Sequence, residues 1–174
     1  MRCFVACCPD DATRDRLDQA AREALSRYPG ARRVRRENLH LTLAFIGEVR
    51  PDRAHEAVEV LRGVSAEPFE WRIDHVGRFE RAHVLWAGGQ PEPRLMHLAE
   101  RVRALLQSLH IRFDEKRFAA HVTVLRDLPP LRATGPGDVV EGIDPFAWPI
   151  RSPLLMVSER DAKGATVYRA LESP

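Results

Sequence analysis

The sequence predicts an α+β fold: two similar halves, each an antiparallel sheet with helices packed outside, meeting at a central cleft. Three observations predict it. Short apolar strands alternate with amphipathic helices, and some strands follow one another through hairpin-length links, which disfavours a doubly wound parallel sheet. The order strand, helix, His-x-Thr strand occurs twice, with 35 positions from Val5 to His40 and 36 from Leu85 to His121. The two His-x-Thr segments, Leu39-His40-Leu41-Thr42-Leu43 and Ala120-His121-Val122-Thr123-Val124, have the same pattern. This repetition predicts one domain over residues 1–174, with pseudo-symmetric halves near 1–80 and 81–174 and room for strand exchange between them.

Residues 4–6 read as the first strand. Asp10 or Thr13 can cap a helix reaching about Arg27, with Leu17, Ala20, Ala21, Ala24 and Leu25 as its apolar stripe. Pro29-Gly30 ends it, and Arg32, Arg33, Arg35 and Arg36 follow. The first motif strand runs over 39–46 and closes at Gly47. Pro51-Asp52 opens a second helix over 53–62, with Ala54, Ala57, Val58 and Leu61 facing inward. Residues 69–75 alternate as a strand, Phe69, Trp71 and Ile73 against Glu70, Arg72 and Asp74. The second half restarts with a strand over 84–87. A helix from Arg94 to about Leu109 follows, striped with Leu95, Leu98, Val102, Leu105 and Leu106. The second motif strand spans 118–125. Residues 127–144, rich in Pro and Gly, read as a long loop. Residues 154–157 and 166–171 read as closing strands joined by a turn over 161–164.

Composition narrows the class. Hydrophobic residues make up 44% and charged residues 30%, a globular mixture. No apolar run is long enough to span a membrane, and the first residues read as a strand rather than a signal peptide. A cytoplasmic protein is expected, with no membrane attachment. The three cysteines, Cys3, Cys7 and Cys8, share one strand without metal-ligand spacing, and read as small buried hydrophobes in a reducing compartment. Net charge is only +2, so bulk charge does not announce nucleic acid. The basic residues are nearly all Arg, whose fork matches phosphate oxygens. Arg33 and Arg36 are therefore candidate phosphate contacts.

The chemistry lies in the motifs. Strand side chains alternate, so His40 and Thr42 share one face while Leu39, Leu41 and Leu43 take the other. His121 and Thr123 repeat the arrangement against Val122 and Val124. With seven His and five Thr in the chain, chance gives two His-x-Thr matches only about one time in fifty. Two imidazoles in one cleft can divide acid and base work near neutral pH. Two Thr hydroxyls can donate to phosphoryl oxygens without adding charge. The set suffices for in-line opening of a phosphodiester without a metal. Metal binding is the chemical rival, but there is no His-Glu-x-x-His, no Cys-x-x-Cys and no carboxylate inside either motif. His55, His75, His83, His97 and His110 lack a flanking Thr and receive no role.

Glu37-Asn38-Leu39-His40-Leu41-Thr42-Leu43-Ala44-Phe45-Ile46-Gly47 and His121-Val122-Thr123-Val124-Leu125-Arg126 resemble the two HxTx motifs of the two-histidine (2H) phosphoesterases. More narrowly they resemble the RNA 2′,3′-cyclic phosphodiesterases, long called 2′-5′ RNA ligases. Phe4-Val5-Ala6, Val84-Leu85-Trp86, and Ser158 with the stretch from Gly164 to Tyr168 match further family segments. The resemblance implies a bilobal fold, no cofactor, and opening of RNA 2′,3′-cyclic phosphate ends, such as those of tRNA fragments, to 2′-phosphates, with ligation of RNA ends through a 2′-5′ bond as the same path backwards. It implies His40 as proton donor and His121 as proton acceptor, with Thr42 and Thr123 on the phosphate. Arg126 matches a substrate-contacting Arg. Strict alternation turns it away from His121, so a bulge or strand end must re-aim it. Phe45 can stack on a base. A monomer without an obligatory protein partner is expected. The family usually carries Pro where this chain has Ala120, and an upstream aromatic is missing around Arg33-Val34-Arg35. Two rival readings remain: a 2H enzyme for another phosphodiester, such as a small cyclic nucleotide, and an RNA-end-binding module without turnover.

Overall fold

The computed structural model describes residues 1–64, 67–130 and 141–172. In chain order the elements are β1 (Arg2–Cys7), α1 (Asp11–Leu25), β2 (Arg32–Arg33), β3 (Leu41–Glu48), α2 (Pro51–Arg62), β4 (Phe69–Phe79), β5 (Val84–Gly88), α3 (Pro93–Ser108), β6 (Val122–Arg126), β7 (Glu141–Ile150), β8 (Leu154–Arg160) and β9 (Thr166–Ala170). The fold is α+β, with antiparallel strand pairings throughout these elements.

The local causes are legible. Asp10 caps α1, its carboxylate accepting from the Thr13 amide at 2.8 Å. Pro51 and Pro93 open α2 and α3 where no intrahelical amide bond is lost. The stripes Leu17, Ala20, Ala21 and Ala24 of α1, Ala54, Ala57, Val58 and Leu61 of α2, and Leu95, Leu98, Val102 and Leu106 of α3 are all buried. They cover the sheet face formed by Cys3, Val5, Leu41, Leu43, Val122 and Val124. The apolar side of both motifs therefore forms the core, and the opposite side is free for the cleft.

The strands form one sheet in the order β7-β4-β5-β6-β3-β1-β8-β9, with β2 added beside β6. That order is symmetric about the β6–β3 junction, where Leu41 pairs with Val122. The two sheets expected from sequence are thus joined into one through this contact. β8 and β9, last in the chain, complete the half that begins with β1. Conversely, α1 packs on β6 and β7, and α3 packs on β3, so each half carries a helix from the other.

Three boundaries differ from expectation. Both motif strands start later than predicted, at Leu41 and Val122, leaving each His in the extended segment just before its strand. β4 continues to Phe79. The loop expected over 127–144 includes residues 131–140, which lie outside the described residues, but its last four positions belong to β7. Pro145 and Pro149 disguise that strand. It lies at the sheet edge, where a missing amide donor is tolerated.

Candidate active site

The junction of the halves is where the motifs meet. Leu41 faces Val122 in antiparallel register, which sets His40 opposite Thr123 and Thr42 opposite His121. By that register the two histidines are diagonal neighbours, about 7–8 Å apart and somewhat less between Cβ atoms. Their proximity is felt electrostatically, since a charge on His121 disfavours one on His40.

Each ring is held the same way. His40 Nδ1 lies 2.7 Å from the carbonyl of Asn38, and His121 Nδ1 lies 2.7 Å from that of Ala119. A carbonyl can only accept, so Nδ1–H donates in both and Nε2 is left for chemistry. The neutral ring then offers a lone pair at Nε2, and the charged ring offers a proton there. His40 packs between Phe4, with ring centres 4.7 Å apart, and Tyr168, edge-on at 5.0 Å. His121 meets Phe79 edge-on at 4.9 Å. Burial pulls the His40 pKa from 6.5 to about 4, assisted by the charge of Arg126. Burial and Arg126 lower His121 as well. Both shifts favour neutral rings at neutral pH.

The strands carry matching irregularities. In β6, Trp86 pairs with Thr123 and Leu85 with Leu125, so Val124 is an extra residue. In β3, Ala6 pairs with Thr42 and Val5 with Ala44, so Leu43 is extra. Each bulge falls directly after the motif Thr. It shifts the alternation by one, so the residue five after each His returns to the cleft side. Those residues are Phe45 and Arg126, equivalent positions in the two halves. Both line a cleft of about 940 Å³ together with His40, Thr42 and Thr123. Phe45 is 40% exposed, and the Arg2 guanidinium lies 5.3 Å from its ring centre.

The Arg cluster divides. Arg32 and Arg35 line the cleft. Arg33 and Arg36 do not; Arg33 pairs with Asp18 at 3.2 Å, and Arg36 with Asp15 at 2.8 Å and Asp11 at 3.2 Å, all on α1. Arg32 and Arg35 are paired too, with Asp127 and Asp161, each at 2.9 Å, so what distinguishes them from Arg33 and Arg36 is that they reach the cleft.

Comparison with known proteins agrees with this fold. A family model described as LigT like phosphoesterase matches residues 8–86. The RNA 2′,3′-cyclic phosphodiesterase of Archaeoglobus fulgidus is 39% identical over 129 residues, covering 72% of each chain. This chain belongs to that family, the LigT-like 2H phosphoesterases. The RNA 2′,3′-cyclic phosphodiesterase of Thermotoga maritima is 34% identical over 131 residues, covering 72% of this chain and 70% of that one. Among solved structures, Escherichia coli LigT complexed with 3′-AMP superposes with a TM-score of 0.76 at 28% identity, covering 98% and 95% of the two chains. TT0787 of Thermus thermophilus gives 0.76 at 32% identity, covering 99% and 96%. The protein is therefore a phosphoesterase, and so a hydrolase.

Sequence reasoning gave no role to two residues of this LigT-like phosphoesterase that hold the site together. Asn38 is 8% exposed and links the first motif to β9: its Nδ2 donates to Thr166 O at 2.8 Å, and its Oδ1 accepts from the Tyr168 amide at 3.1 Å. Its carbonyl in turn orients His40. Tyr168 appeared only as part of a closing pattern, and its position against His40 depends on β9 returning across the whole chain. Among the described residues no group of three or more His, Cys, Asp or Glu is gathered as a metal would need. The cysteines are free; Cys3 and Cys7 are buried, with burial pushing Cys7 up to about 12. Among the described residues no helix is long and apolar enough to cross a membrane.

Proposed function

We propose that this phosphoesterase opens RNA 2′,3′-cyclic phosphate ends to 2′-phosphates without a metal or other cofactor. The observation that carries the reading is the diagonal pair of imidazoles, each with Nδ1 pinned to a carbonyl and Nε2 free. A water oxygen attacks phosphorus and gives its proton to His121 Nε2. The P–O3′ bond breaks, and His40 Nε2 protonates the departing oxygen. The Thr42 and Thr123 hydroxyls donate to the two non-bridging oxygens, and the Arg126 guanidinium balances their charge.

The low pKa of His40 leaves the free ring without the proton a donor must carry, so the donor role requires bound phosphate to raise it. Its imidazolium is a strong acid once formed, and the arriving phosphate anion favours forming it. Phe45 offers a face to the terminal base. Arg32 and Arg35 line the cleft, paired with Asp127 and Asp161, and exchange those carboxylates for phosphates further along an RNA strand, so substrates such as tRNA fragments are preferred over mononucleotides. We further propose that the chain acts as a monomer in the cytoplasm, since both motifs come from one chain.

The test is to incubate the purified protein with an oligonucleotide and a mononucleotide, both ending in 2′,3′-cyclic phosphate, and to locate the product phosphate by 31P NMR. A 2′-phosphate, formed with higher kcat/KM on the oligonucleotide, is expected. Equal efficiency on the two would move the reading to a small-molecule phosphodiesterase. Binding of either substrate without turnover would move it to an RNA-end-binding module.

A further inference from the structure

The 940 Å³ cleft lies on the His40 side of the junction, lined by β1, β3, β8 and β9 with Thr123, Arg126 and the Arg32–Arg35 turn. The His121 side has a different surface. Trp86 on β5 pairs with Thr123 on one edge and Gly77 of β4 on the other, so its ring shares the face of the motif side chains. The indole lies flat on the sheet. A Cβ added at Gly77 would meet it at 2.2 Å, and one at Gly88 at 2.9 Å. Phe79 and His75 follow Gly77 by alternation on the same face, and both touch Trp86, with ring centres 5.5 and 5.4 Å away. Phe79 also touches His121. A run of half-buried rings, Phe79, Trp86, His75, thus leads away from His121. Trp86 Nε1 is buried with no hydrogen-bond partner among the described residues.

In-line displacement places the entering oxygen opposite the departing one, so the group bearing the entering oxygen lies on the His121 side. We propose that the Phe79–Trp86–His75 ring run is a stacking subsite for the nucleoside whose 5′-oxygen bonds to phosphorus on the His121 side. This rests on the phosphodiesterase reading and adds a second nucleoside site to it. With a 5′-hydroxyl bound there in place of water, the hydroxyl oxygen attacks phosphorus and passes its proton to His121. The P–O3′ bond breaks, with His40 protonating O3′, and a 2′-5′ diester results. In reverse, the 3′-hydroxyl attacks phosphorus and gives its proton to His40. The P–O5′ bond then breaks, and His121 protonates the leaving 5′-oxygen. Stacking tolerates any base, because every base has a π-face.

The test compares kcat/KM for cleavage of adenylyl-(2′→5′)-adenosine with kcat/KM for opening of adenosine 2′,3′-cyclic phosphate. In Trp86→Leu the ratio should fall by at least about fivefold, the low end for removing one stacking ring. His75→Ala, at the outer end of the run, should shift the ratio in the same direction. A ratio unchanged in both variants overturns the subsite. Using a ratio separates lost stacking from a generally damaged fold. A second readout needs no turnover. Trp71 and Trp148 are 1% and 0% exposed, so quenching by an added nucleotide reports on Trp86. The dinucleotide should quench the wild-type emission and adenosine 2′-phosphate should not; equal quenching by both overturns the proposal. A protein that opens no cyclic phosphate at all contradicts the phosphodiesterase reading, while the quenching still decides the subsite.

Discussion

At the scale of residues, the site depends on where two protons can be. With both Nδ1–H groups committed to carbonyls, replacing either His removes one proton-transfer group. His40→Ala or His121→Ala should each cost about 10²–10⁴ in rate. The double variant should cost much less than the product of the two, since a half-assembled acid–base pair has already lost concerted transfer. Additive losses in a four-variant kinetic comparison would contradict this. The lowered pKa values also predict pH behaviour. Both histidines lie below 6.5 in the free protein, so the bell of kcat/KM against pH should be centred on the acid side of 6.5. Bound phosphate favours the charged rings, so the kcat bell should lie higher. A kcat bell at or below the kcat/KM bell would contradict the assigned electrostatics. Stability follows the same shift. Below pH 6.5 the unfolded chain protonates His40 while the native chain resists until about 4. Stability is therefore lost as pH falls through that window, by on the order of 3 kcal/mol for this group. In His40→Asn, denaturant unfolding at a series of pH values should show a shallower acid slope. The motif residues were legible because spacing and side-chain type are local properties. Asn38 was not, because its partners at Thr166 and Tyr168 are set by the return of a distant strand.

At the scale of elements, the strands needed more than alternation to build the cleft. Arg126 required a departure from strict alternation, and the register places it at Val124. The equivalent bulge at Leu43 could not be read, because nothing about Leu43 differs from an ordinary strand residue. The stripes of α1, α2 and α3 were legible from period alone, since each buries one continuous face. β7 was hidden by prolines that only an edge position permits, and its pairing to β4 is long-range. The Arg cluster divides by which side chains reach the cleft, Arg32 and Arg35. Arg32→Gln with Arg35→Gln should lower affinity for a cyclic-phosphate oligonucleotide and flatten the log–log salt dependence by up to about two units. Arg33→Gln with Arg36→Gln should leave that slope unchanged and instead cost stability, mostly through Arg33, whose partner Asp18 is buried. Salt titrations of both double variants check this, and the opposite pattern would return the contact to Arg33 and Arg36.

At the scale of the whole molecule, the sheet order mirrors itself about one strand junction, yet the halves are not separable. β8 and β9 complete the first half from the far end of the chain, and α1 and α3 each cover the other half. We propose that residues 1–174 unfold as one cooperative unit, with coincident transitions by tryptophan emission and far-UV circular dichroism. A fragment of residues 1–80 should not fold, since β1 would lose β8. A folded fragment, or two separated transitions, would contradict this. The internal repeat was legible in sequence; the exchange of strands was not, because closing strands carry no mark of their partner. Among the described residues the site holds imidazole, hydroxyl and guanidinium groups but no gathered metal ligands. Activity should therefore survive exhaustive EDTA treatment, and loss restored by zinc or magnesium would point to a metal site instead.

The central claim is that His40 and His121 do opposite halves of one proton exchange. It is tested most directly with a phosphodiester substrate whose leaving group is too acidic to need protonation. On that substrate His40→Ala should recover much of its lost rate, because the departing oxygen no longer needs a donor, and His121→Ala should not. Recovery by His121→Ala alone would reverse the roles. Near wild-type activity of either variant on the ordinary cyclic phosphate would contradict the two-histidine account altogether.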